Sequence, residues 1–82
     1  MNELNRQFGT RLRFLRVQRQ MTQEQLAGAA DISVDFLSLI ERGRNAPSFS
    51  NLDKLARALK ISVKELFNFD ENQGNDLSAR HP

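Results

Sequence analysis

Three times in this chain an apolar residue, a short hydroxyl side chain and a second apolar residue recur at one fixed spacing. Met21-Thr22 is followed by Leu26, Ile32-Ser33 by Leu37, and Ile61-Ser62 by Leu66. The spacing suits the start of a helix. The hydroxyl accepts a hydrogen bond from a backbone N–H that the helix leaves orphaned, and the two apolar residues close over the first turn as a staple. Gln25 and Glu65 stand three residues after their caps, where each side chain can reach back to the cap's own N–H and complete a capping box. The stretches after Thr22, Ser33 and Ser62 are thereby committed to helix.

Periodicity supplies two more helices. Leu4, Phe8, Leu12 and Leu15 fall on one helical stripe, with Arg11, Arg13, Arg16 and Arg19 mostly off it. Pro47-Ser48 opens another helix, whose stripe is Phe49, Leu52, Leu55, Ala56 and Leu59. No run of β-branched residues alternates with period two, and ERGRNAPS after the third helix reads as a loop. The expected fold class is therefore all-α, a compact five-helix domain over residues 1–67. From residue 68 onward, NFDENQGNDLSARHP holds one Phe and one Leu among polar residues. That is too little apolar surface to offset the entropy of ordering, so residues 68–82 are expected to form a mobile polar tail, with His81 inert inside it.

Composition narrows the function. A chain of 82 residues allows one small domain, and without cysteine it has neither a disulfide nor a thiolate metal site. No apolar run reaches the length of a membrane span and the N-terminus lacks the apolar core of a signal peptide, so a cytoplasmic protein with no membrane partner is expected. The formal net charge of +2 hides an asymmetry. Residues 1–67 carry eleven Lys or Arg against seven Asp or Glu, whereas residues 68–82 carry one against three. Clustered arginine suits an anionic partner, nucleic acid above all, or else a solvated helix face. One histidine, no cysteine, no phosphate-cradling glycine loop and no carboxylate cluster outside the turn and tail argue against an enzyme, and no cofactor or metal is expected.

The second and third helices are short and separated by about three residues. Ala27 and Ala30 are small enough for a close elbow, and Leu26, Ile32, Leu37 and Ile40 point inward at helical spacing, which a helix-turn-helix requires. With TQEQLA, IS, LSLIERG, RNAPS and LARAL in register, residues 6–67 resemble the Xre-like family of phage-repressor helix-turn-helix domains, the lambda and Cro type. The resemblance implies a lambda-repressor-like fold of five helices, binding to double-stranded DNA, and usually a two-fold dimer.

Site residues follow from this placement. The third helix would enter the major groove by its leading half, with Ser33, Val34, Asp35, Ser38 and Leu39 as base readers. Val34 and Leu39 offer apolar surface suited to a thymine methyl group. Phage repressors tend to carry glutamines here, so no operator sequence follows. Gln23 opens the second helix, where free N–H groups and the dipole favour a phosphate; the simpler reading is that it merely follows its cap. Phe36, Arg42, Arg44 and Asn45 are the other expected backbone contacts, against a solvated loop as the competing view for the last three. Arg16 and Glu41 resemble the family's inter-helix ion pair. Arg11, Arg13 and Arg19 suit either phosphates or surface salt bridges.

The two aspartates of this region need separate accounts. Asp31 stands where the family usually has glycine, because the turn wants a left-handed residue, and aspartate accepts that at roughly 1 kcal/mol. Asp35 lies in the first turn of the third helix, offsetting its dipole or accepting a hydrogen bond from a cytosine amino group. Val63, Leu66, Phe67 and Phe69 form an expected dimer patch, with Phe14 and Val17 as additions, unless they are core overflow. The expected function is a sequence-specific DNA-binding transcriptional regulator, a repressor, an autoregulator or a restriction-modification controller, dimeric on a near-palindromic operator. The alternative is an antitoxin whose tail, with Asp70, Glu71 and Asp76, folds onto a toxin partner.

Overall fold

The computed structural model describes residues 2–70 and consists of five α-helices in that span: α1 (Glu3–Gln18), α2 (Gln23–Ala30), α3 (Val34–Glu41), α4 (Phe49–Leu59) and α5 (Val63–Leu66). Each begins at a polar cap. Asn2, Thr22, Ser33, Ser48 and Ser62 each accept a hydrogen bond from the backbone N–H three residues on. Only Thr22 is described with the full reciprocal box, Gln25 Oε1 accepting from the Thr22 N–H at 2.8 Å. At Ser62 the expected box does not close that way: the Glu65 carboxylate accepts from Arg11 Nη2 at 3.2 Å.

The helices meet over one core. Phe8, Leu12 and Leu15 of α1, Leu26, Ala27 and Ala30 of α2, Leu37 and Ile40 of α3, Leu52, Leu55, Ala56 and Leu59 of α4, and Leu66 of α5 are all buried. The staple residues Met21, Ile32 and Ile61 pack half-buried against this cluster, fixing the angle at which each helix is entered. Helix α1 lies against α3 and α5, while α2 lies against α3 and α4. Helix α3 is thus backed from two sides.

Three expectations from periodicity are corrected. Leu4 is 55% exposed and Phe49 is 89% exposed, although both lie on their helix's apolar stripe. Each sits in the first turn, where no neighbouring helix extends far enough to cover it. Arg11, read as a surface cation, is 0% exposed. Helix α5 crosses α1 there and supplies acceptors: Arg11 Nε donates to the Glu65 carbonyl at 2.9 Å, and its guanidinium lies 5.8 Å from the centroid of the Phe14 ring. A buried cation is tolerable when its N–H groups are satisfied in this way.

Phe69 continues the packed part past residue 67. It lies half-buried against the core, with its ring 6.0 Å from that of Phe67. Most of the expected tail, with Glu71, Asp76 and His81, lies outside the described residues.

Candidate nucleic-acid interface

The elbow between α2 and α3 is built by its own backbone. Asp31 adopts φ 58° and ψ 47°, left-handed as its turn position asks, and the following Ile32 N–H donates to the Ala27 carbonyl at 3.0 Å. That closes α2 and turns the chain sharply, so Ser33 can cap α3 at once. The far end of α3 is closed in a similar way. Gly43, at φ 75°, takes a conformation that favours glycine, with its N–H on the Ile40 carbonyl at 2.9 Å and that of Arg44 on the Leu39 carbonyl at 2.9 Å. This turn brings Arg44 and Asn45 out to solvent beyond Arg42.

Three helices are locked together at the last residue of α3. Arg16 on α1 donates to both Glu41 oxygens, Nε to Oε2 at 2.7 Å and Nη2 to Oε1 at 3.1 Å, and its Nη1 donates to the Met21 carbonyl at 2.8 Å. Gln23 on α2 adds a donor from Nε2 to Glu41 Oε1 at 3.0 Å. A carboxylate only accepts, so this contact sets which way the Gln23 amide faces. An NH2 group has two donors, and one is left for another acceptor.

The expected readers separate into two groups. Asp35 is exposed and Ser38 and Leu39 are half-exposed, while Leu39 is not among the residues packed on the core. Ser33 is exposed, but its Oγ already accepts from the Phe36 N–H at 3.0 Å, which leaves the hydroxyl proton to donate. Val34 and Phe36 are instead half-buried against the core, so neither projects freely as the helical spacing alone implied. Phe36 lies four residues, about one helical turn, before the buried Ile40 and so shares its inward face. Among the expected phosphate donors, Arg42, Arg44 and Asn45 are exposed.

Other expected contacts are redirected. Arg19 Nε caps the end of α4 by donating to the Leu59 carbonyl at 2.9 Å. Arg13 stays exposed on α1. Leu66, placed in a surface patch on sequence grounds, is completely buried and belongs to the core. Val63 and Phe67 do remain exposed, and Phe67 packs its ring 5.2 Å from Phe8. The Gln23 bridge could not be read from spacing, since it joins residues 18 apart through a fold-dependent contact. Among the described residues no group of three or more His, Cys, Asp or Glu could hold a metal ion, and no helix is long and apolar enough to cross a membrane.

Comparison with known proteins agrees with this geometry. A helix-turn-helix family model matches residues 12–66. The chain is 42% identical over 72 residues to the HTH-type transcriptional regulator DdrOP3 of Deinococcus deserti, an alignment covering 88% of this chain and 56% of that regulator. The chain thus spans little more than half of that relative's length. Against the control protein C.MunI of a Mycoplasma species it is 34% identical over 74 residues, covering 89% of this chain and 100% of that protein. The crystal structure of the restriction-modification controller protein C.AhdI from Aeromonas hydrophila superposes with a TM-score of 0.76 at 40% identity, over 77% of this chain and 96% of that one.

Proposed function

Because the chain belongs to the Xre-type helix-turn-helix family, as the match to residues 12–66 shows, we propose that it binds double-stranded DNA sequence-specifically and regulates transcription from the site it occupies. The observation that carries this reading is the clamped α3. Its outer face carries the exposed Asp35 and the half-exposed Ser38 and Leu39, while its end is held by Arg16 and Gln23 through Glu41. A reading element needs this combination of exposed side chains on a rigid support.

In this reading Ser33, Asp35, Ser38 and Leu39 face base edges, with Val34 contributing its outer methyl surface. Gln23 gives its second amide N–H to a phosphate at the α2 N-terminus, and Arg42, Arg44 and Asn45 follow the same strand beyond α3. Likeness along the whole length of a control protein and to a restriction-modification controller structure supports an operon controller as the specific form.

Dimerisation is part of the proposal, on a surface shifted from the one read in the sequence. Leu4, Phe49 and Phe67 are exposed large apolar residues around one groove of about 270 Å³, which Phe8 and Pro47 also line. A protruding ring beside a groove is self-complementary under two-fold symmetry. Two copies would set their α3 helices about 34 Å apart, in successive major grooves.

Selecting bound sequences from a random duplex library, at fixed salt, tests the reading. The expected product is a near-palindromic site whose affinity falls roughly a thousandfold or more between about 50 and 200 mM salt. Recovery of random sequence with a flat salt response would overturn it. A partner enzyme that co-purifies in stoichiometric amount, with DNA bound only by the complex, would replace it by the antitoxin reading.

A further inference from the structure

Gly9 lies buried in the middle of α1, where the last turn of α3 rests on it. A Cβ at this position would stand 2.4 Å from the Ile40 carbonyl oxygen and 2.6 Å from that of Glu41. Both are backbone atoms, so no rotamer change relieves the overlap. Gly28, the other helical glycine, has nothing within 4 Å of the same added atom. Glycine weakens a helix interior relative to alanine, and close approach of another backbone is a physical reason for its presence.

The contact falls at the same place as the ion pair. Arg16 follows Gly9 by two helical turns on the same face, and both act on the end of α3, one against its backbone and one on the Glu41 carboxylate. Ordinary contact begins near 3.4 Å, so an added methyl at 2.4 Å would drive the end of α3 outward by about 1 Å. Binding constellations tolerate displacements of roughly 0.5 Å. The Arg16 hydrogen bonds would stretch, and Arg42 and Arg44 would move with the helix end.

Resting on the reading that α3 engages DNA, we propose that Gly9 is a positioning residue: it sets the standoff of the reading helix from α1, and with it DNA affinity, while touching no DNA. The position can be randomised in the full chain displayed on phage. One sort selects protease resistance, which reports folding, and a second selects capture by the duplex that the unsubstituted protein prefers. Gly28→Ala is the control.

Gly9→Ala and Gly9→Ser are expected in the folded pool, with capture at least tenfold below what their folded fraction accounts for, while Gly28→Ala survives both sorts. A Gly9→Ala protein captured in proportion to its folded fraction overturns the proposal. So does a folded pool that contains only glycine, which would make Gly9 a requirement of folding alone. If the unsubstituted protein captures no duplex, the DNA-binding reading itself fails, and the positioning role goes with it.

Discussion

Arg16 and Glu41 form a two-pronged ion pair across α1 and α3, their side chains only 11% and 2% exposed. Such a pair contributes geometry more than net stability, because both charges give up hydration to meet. Losing one partner is another matter. Arg16→Met would leave the Glu41 carboxylate with Gln23 as its remaining side-chain donor, and is expected to cost about 3–5 kcal/mol in urea denaturation. The double variant Arg16→Met/Glu41→Leu should recover most of that loss yet still bind DNA more weakly, since Gln23 has lost the acceptor that orients it. Full recovery of DNA affinity in the double variant would show that the pair does not orient the site.

Three helix ends carry non-glycine residues in the left-handed region, Gln20 after α1 at φ 58°, Asp31 after α2 at φ 58° and Lys60 after α4 at φ 60°. Glycine carries no Cβ penalty there, so Asp31→Gly and Lys60→Gly should each stabilise the fold by up to about 1 kcal/mol, partly offset by the freer unfolded chain. A raised urea midpoint at unchanged slope is the expected result. Destabilisation by either change would mean that the side chain has a compensating contact.

Readers packed against the core and readers clear of it should respond differently. Leu39→Ala and Asp35→Asn are expected to change the duplex selected from a random library while leaving Tm nearly in place. Val34→Ala removes methyl groups packed on the core and should cost roughly 1 kcal/mol or more in stability as well. Unaltered sequence preference in the Leu39 and Asp35 variants would exclude them as readers.

Phe49 is so exposed that its replacement should leave the folded monomer intact. Phe49→Ser is expected to keep the helical circular-dichroism signal and to dissociate the dimer at micromolar concentration, as sedimentation equilibrium would register. Retained dimerisation would place the interface elsewhere.

At the start of α1, the hydrogen bond from Arg6 holds the Glu3 carboxyl below its ordinary value of 4.5, with the Arg6 charge assisting. A lowered value in the folded state stabilises the fold above the unfolded carboxyl's range, and the benefit is lost as pH falls through the folded value. Both groups are solvent-exposed, so the effect is small and screened by salt. The Tm of Glu3→Gln should lie slightly below that of the unsubstituted protein near neutral pH and converge with it in strong acid. A difference that persists in acid would point to a cause other than the ion pair.

The sequence by itself determined the helices, their starts and the helix-turn-helix. Those depend on contacts within one or two turns: Thr22 with Gln25, Ser33 with the Phe36 N–H, Met21 closing over Leu26. Interactions that short keep the same spacing in any surroundings, so a linear pattern records them. Tertiary structure alone decided which apolar stripes are covered and which cations are buried. Leu4 and Phe49 obey the same periodicity as Leu12 and Leu55 but extend past their neighbours' reach, while α5 covers Arg11 and offers it a carbonyl. The link from Gln23 to Glu41 and the contact of Gly9 with Ile40 likewise exist only once α1, α2 and α3 are packed, because burial and hydrogen-bonded position belong to pairs of elements and not to either one.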